Sequence, residues 1–180
     1  ILSARAKIEK EPNYSKVASA LAANALYKEV FRESVDSDTF ELQYRKSFVQ
    51  NIKKLVKEDI LSAKLLDFDL KKLSVAMQPE RDSLFKYLGL QILIDRYFIR
   101  VSNKIMETPQ AFWMRVAMGL AINEENKEER AIEFYNLFSN MLYTPSTPTL
   151  FNSGTTHSQL SSCYLNTFDD SIDGIFEGVW

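Results

Sequence analysis

One cysteine, Cys163, and one histidine, His157, fall in the polar stretch YTPSTPTLFNSGTTHSQLSSCYL that runs from Tyr143 to Leu165. A thiol can attack as a nucleophile, give up hydrogen, or pair reversibly with a second sulfur. Ser161 and Ser162 set hydroxyls beside it and Thr147 and Thr149 add two more, groups that can hold a polar substrate without adding charge. A cysteine nucleophile needs a base, yet His157 lies six residues upstream in a loop and no motif fixes the pair. Each residue also has an ordinary reading: a small buried hydrophobe for Cys163, and a solvent-facing loop imidazole for His157.

Asp169 and Asp170 invite a metal reading, but adjacent carboxylates without a histidine or a further acid at ligand spacing do not make a site, and no metal is assigned. The segment DDSIDGIFEGVW instead reads as a helix start. Asp170 or Ser171 caps it, Asp173 sits in its first turn, and Ile172, Ile175, Phe176 and Val179 share one face. Three aspartates at this end disfavour direct phosphate contact and suit carboxylate contact to the hydroxyls of a nucleotide. No glycine-rich phosphate loop occurs in the chain.

The elements that must position these groups are mostly helical. Tyr14, Val17, Ala18, Leu21 and Ala25 form an amphipathic stripe after Pro12 and Asn13, and Phe40, Tyr44, Phe48, Ile52 and Leu55 form a second. Lys46, Lys53, Lys54 and Lys57 fall on the solvent side of that second helix. A short helix is expected over 67–77, stopped by Pro79, with a restart from Glu80 to about Ile94 and a strand over 97–101. Thr108 and Pro109 open the best-marked helix, with Phe112, Val116 and Leu120 inward. After the turn INEENKEE a further helix carries Ala131, Tyr135, Phe138 and Leu142 inward. These aromatic stripes read as core packing. Pro145 and Pro148 then forbid a continuing helix, and residues 147–151 and 160–165 have strand-like composition around a loop at Gly154.

Composition bounds the function. The chain is 46% hydrophobic over 180 residues, enough for one globular core with a second partial unit. Lys and Arg number 22 against 24 Asp and Glu, so no basic field favours nucleic acid or anionic membrane. Apolar runs fall well short of the roughly 20 residues of a bilayer helix. With no signal peptide and a lone cysteine, the expected location is the cytoplasm, and an internal disulfide framework is excluded.

TPSTPTLFNSG, then QLSSCYL, then DDSIDGI resemble the start of the catalytic barrel in the large (alpha) subunit of class I ribonucleotide reductase. EPNYSKVASAL, QPERDSLFKYLGLQILIDRYF and ETPQAFWMRVAMGLA are similar to that subunit's helical N-terminal domain, so the resemblance covers essentially all 180 residues. It implies a mainly α fold: a helical N-terminal domain over 1–143, then, over 144–180, the first strands and a helix start of a ten-stranded α/β barrel. It implies that Cys163 is the first reducing cysteine, giving hydrogen to the 2′ position of the ribonucleotide and then pairing with a second cysteine. Thr147 and Ser162 would hold the substrate beside Cys163, with Thr147 near its phosphates. Asp170, Ser171 and Ile172 would begin the specificity site, where a deoxynucleoside triphosphate effector binds near the interface of a large-subunit homodimer.

The resemblance further implies a ribonucleoside diphosphate substrate and no cofactor within these residues. The radical would come from a metal-containing small (beta) subunit, and reducing equivalents from a thioredoxin- or glutaredoxin-type protein. Neither nucleic acid nor membrane is an implied partner. With one cysteine among 180 residues, the family's radical-forming cysteine, disulfide partner and C-terminal thiol pair are missing, so the chain is expected to be a piece of the subunit, inactive alone. A piece of a class II cobalamin-dependent reductase, a non-catalytic helical binding module and a Cys–His enzyme remain as alternatives.

Overall fold

The computed structural model describes residues 1–177. After a short helix α1 (Leu2–Arg5), α2 runs from Tyr14 to Phe31 and ends where Arg32 takes a left-handed conformation, φ 60°. Its buried face is Ala18, Ala22, Ala23, Leu26, Tyr27 and Val30, whereas Val17 and Leu21 of the expected stripe are 50% and 44% exposed. This helix is apolar nearly all round, so periodicity allowed two stripes. The alanine-rich one packs inward, and α5 (Tyr87–Ile92) lies against this helix. Helix α3 (Phe40–Lys57) buries Tyr44, Phe48, Ile52 and Leu55 and leaves Lys46, Lys53 and Lys57 in solvent, as its spacing predicts.

The next expected helix is shorter than its pattern. Residues Ala63–Asp67 form a 3-10 turn and α4 spans Leu70–Ala76, because the Asp69 carboxylate accepts from the N–H groups of Lys71 and Lys72, each at 3.0 Å, and so starts a new helix. The restart at residue 80 is also broken. A 3-10 turn (Pro79–Leu84) draws Asp82 into the core, α5 covers only Tyr87–Ile92, and a π-helical turn follows over Leu93–Tyr97. The strand expected over 97–101 is reduced to β1 (Arg100–Val101), paired antiparallel with β2 (Lys104–Ile105). Ser102 and Asn103 make the connecting turn, with φ of 48° and 64°, as a tight two-residue hairpin requires.

Helix α6 (Pro109–Ala121) opens at Thr108 and Pro109 as expected and is buried along nearly its whole length. α7 (Lys127–Ser139) packs along it with Ala131, Tyr135 and Phe138 inward. Leu142, expected inward, is 74% exposed, because Met141 takes φ 58° just past the helix end and turns the chain outward. Aromatic residues cluster here: Tyr27, Phe31 and Tyr44 in the core and Phe40 against it meet edge-on, tilted or stacked at centroid distances from 5.0 to 6.0 Å.

One buried carboxylate joins four helices. Asp82 Oδ2 accepts from the hydroxyls of Tyr27 at 2.7 Å and Tyr44 at 2.9 Å, and Oδ1 accepts from Gln110 Nε2 at 2.7 Å. Gln110 Oε1 in turn accepts from the Tyr135 hydroxyl at 2.7 Å. Burial pushes the Asp82 carboxyl up to about 6, its three hydrogen bonds offsetting only part of the desolvation. A carboxyl raised in the folded state makes this group's own contribution to stability largest below about pH 4 and loses it as pH rises through about 6, a change of about 3 kcal/mol. Chemical denaturation across this range should show that fall as the difference between the native chain and Asp82→Asn; identical pH profiles would refute it.

Candidate functional site

The residues singled out for chemistry sit on and beyond α8 (Thr147–Asn152), a helix where the composition suggests a strand. Pro148 occupies its first turn, where a missing N–H costs nothing, and Ser146 before it is extended (φ −65°, ψ 157°). The proline that stops one helix therefore opens another. Residues 160–165, the other expected strand, form no ladder, and among the described residues the only paired strands are β1 and β2. A strand needs a neighbour to satisfy its backbone, and none is present here.

A buried ion pair fixes α8 to the helical core. Arg115 Nε donates to Glu107 Oε1 at 2.6 Å and Arg115 Nη1 to the Ser153 carbonyl at 2.7 Å, with Arg115 fully buried. Glu107 Oε2 accepts from the Ile99 N–H at 2.8 Å, so the pair is hydrogen-bonded on both sides. Ser153 Oγ donates to the Val116 carbonyl at 2.7 Å. Gly154, at φ 80°, then turns the chain, and its carbonyl accepts from the Ser62 N–H at 3.0 Å. This approach requires a glycine on α6: a Cβ at Gly119 would lie 2.2 Å from the Gly154 nitrogen.

Two side-chain hydrogen bonds bring the cysteine segment back along α8. Thr149 Oγ1 donates to the Leu160 carbonyl at 3.1 Å and Asn152 Nδ2 to the Gln159 carbonyl at 2.7 Å. Thr147, Pro148, Phe151, Gln159, Ser161 and Ser162 thereby line an open cavity of about 490 Å³. Thr147 and Ser162, fifteen residues apart in the chain, share one site. Cys163 is free and exposed, so the buried-hydrophobe reading does not describe it, and its Sγ lies 3.8 Å from Ser162 Oγ.

The other candidates separate from this cavity. His157 is exposed in the loop, and among the described residues no hydrogen bond joins it to Cys163. Asp170, Ser171 and Ile172 lie at the start of α9 (Ile172–Glu177), where Ser171 Oγ accepts from the Gly174 N–H at 3.0 Å as a cap. Ile172, Ile175 and Phe176 on its apolar side are all more than half exposed, and Val179 lies outside the described residues. Among the described residues no cluster of acids, histidine and cysteine could hold a metal, and no helix is long and apolar enough to cross a membrane.

Sequence reasoning missed Arg115, Glu107, Gly119 and Tyr97. A signal existed for the first: an arginine inside the apolar run FWMRVAMGLA must find a buried partner. Nothing local pointed to Tyr97, whose hydroxyl lies 3.3 Å from Thr147 Oγ1.

Residues 83–158 match the family described as ribonucleotide reductase, all-alpha domain. The chain is 49% identical over 182 aligned residues to the ribonucleoside-diphosphate reductase subunit alpha of Chlamydia trachomatis, covering 99% of this chain and 17% of that protein. It is 40% identical to the Helicobacter pylori subunit alpha, over 92% of this chain and 20% of that one. The large subunit from monkeypox virus is 37% identical, over 92% and 21% respectively. The chain thus spans about a fifth of the length of the relatives it matches.

Proposed function

Because the chain belongs to the ribonucleotide reductase large (alpha) subunit family, we propose that it serves, as part of a complete subunit, in reducing ribonucleoside diphosphates to deoxyribonucleotides. The observation that carries this reading to particular residues is the cavity shared by Thr147 and Ser162, with Cys163 next in the chain. Thr147 and Ser162 hold the substrate by hydroxyl contacts, Thr147 at its phosphates. Cys163 supplies hydrogen at the 2′ carbon. In balanced form, the 2′ C–O bond breaks, a C–H bond forms, the hydroxyl leaves as water, and two thiols become one disulfide. These residues hold one of the two thiols, so the chain alone has no turnover.

The radical that starts the reaction comes from a small subunit carrying a metal, and a thioredoxin- or glutaredoxin-type protein resets the disulfide. Asp170, Ser171 and Ile172 begin the effector site, where Asp170, just before the Ser171 cap of α9, meets a sugar hydroxyl, beside a second copy of the large subunit. Residues 1–143 form the helical N-terminal domain and 144–180 the entrance of the barrel, whose strands take shape when their neighbours pair with them. The enzyme works in the cytoplasm. The alpha- and large-subunit designations in the relatives' names favour an enzyme with a separate small subunit over a cobalamin-dependent one.

The test is an activity assay on the complete subunit carrying this segment, mixed with its small subunit and a dithiol reductant. Conversion of cytidine diphosphate to the deoxy product is expected, and dTTP binding measured by calorimetry should weaken roughly tenfold in Asp170→Ala, the loss of one charge-assisted hydrogen bond. Absence of product with an intact radical in the small subunit would reject the assignment.

A further inference from the structure

We propose that Tyr97 is a positioning residue for the ligand held at Thr147: its phenol donates to Thr147 Oγ1 and so directs the threonine's own proton at the phosphate oxygens. This deepens the role given to Thr147 above and rests on it.

Tyr97 stands behind two walls of the cavity at once. Its hydroxyl is 3.3 Å from Thr147 Oγ1, and its ring stacks on Phe151 with centroids 4.6 Å apart and planes at 26°. Thr147 and Phe151 both line the cavity, while Tyr97 is half-buried beneath them. A threonine hydroxyl carries one proton and rotates freely, whereas a phosphate oxygen only accepts. An unsupported Thr147 would spend part of its time with that proton turned away. A phenol is the stronger donor of the two hydroxyls, so the shared hydrogen bond runs from Tyr97 to Thr147. The threonine lone pair is then occupied, and its proton is left for the ligand.

The backbone beneath Tyr97 is built for this placement. Residues Leu93–Tyr97 form a π-helical turn, closed by the Phe98 N–H donating to the Leu93 carbonyl at 3.0 Å. A π turn is costly and inserts one residue per turn, rotating everything after it by about 100° relative to an α-helix. The ring is also anchored from the core side, 6.5 Å from Phe112 and tilted at 58°. Tyr97→Phe therefore keeps both ring contacts and deletes only the hydroxyl.

The experiment uses the complete reductase, with steady-state kinetics on a ribonucleoside diphosphate and thermal unfolding for Tyr97→Phe, Thr147→Val and the double variant. Tyr97→Phe should raise KM about fivefold, the worth of one oriented hydrogen bond, with kcat within twofold and an unchanged melting temperature. The double variant should be no worse than Thr147→Val alone, since Tyr97 acts only through that hydroxyl. An additive double variant, or a KM change matched by a lower melting temperature, would overturn the proposal. If Thr147→Val raises KM and Tyr97→Phe does not, the Tyr97 inference fails while the reading of Thr147 survives. If neither changes KM, both fail together.

Discussion

Replacing Cys163 with serine is expected to abolish deoxynucleotide formation in the complete enzyme, by about a thousandfold or more, equivalent to at least about 4 kcal/mol of lost transition-state stabilisation. The argument is chemical. The proposed step would remove a hydroxyl from carbon and need two electrons beside the sugar; a thiol could supply its share and then close a disulfide, while an alcohol can do neither. Ser161 and Ser162 already stand next to Cys163 and would not substitute for it, because they lack sulfur. Since Cys163 is exposed in this chain, the change should leave thermal unfolding of the chain within experimental error. Substrate KM should move little, because the hydroxyls of Thr147 and Ser162 are retained. Turnover comparable to wild type would remove Cys163 from the mechanism.

The largest expected effect on stability comes from Arg115→Met. The side chain fits the space approximately, but Glu107 is left as a buried charge with its guanidinium partner gone, and the Ser153 carbonyl loses its donor. Breaking such a pair from one side costs about 3–5 kcal/mol, a large part of the total stability of a domain this size. Urea unfolding should show the midpoint shift. Adding Glu107→Leu should recover much of the loss, since the removal of both charges relieves the uncompensated one. If the single variant costs less than about 1 kcal/mol, the pair is not what holds α8 to the core. The local consequence is functional as well as thermodynamic. Ser153 and Gly154 follow α8 directly, so a released clamp would let Thr147 drift from Ser162 and raise KM in the complete enzyme.

Much of the helical frame was legible because its signals are local. Thr108 and Pro109 announce α6, and the spacing of Phe40 to Leu55 determines both the existence and the buried face of α3. Where local signals were ambiguous the reading failed in identifiable ways. α2 carries two apolar stripes, and only its packing against the neighbouring elements, α5 foremost, decides between them. Pro148 is equally compatible with a loop and with the first turn of a helix, and a short run such as TPTLFN has no periodicity long enough to arbitrate. The break of the 80–94 helix depends on Asp82 finding two tyrosines and a glutamine from three other helices. Such partners are 28 to 55 residues away in the chain and leave no trace in a local window.

The same division runs through the site. Residue types and their order along the chain singled out Cys163 among hydroxyls, and the longer blocks TPSTPTLFNSG, QLSSCYL and DDSIDGI suggested the family and, through it, the roles proposed for Thr147, Ser162 and Cys163, because such motifs are local and need no coordinates. What only the tertiary structure decided is how they are held: Thr147 and Ser162 on one cavity, Arg115 and Glu107 clamping the turn beyond α8, Gly119 admitting Gly154, and Tyr97 beneath Thr147. Each of these is a contact between distant segments. Their strength comes from burial and from the exclusion of water, which exist only once the helices have closed around them.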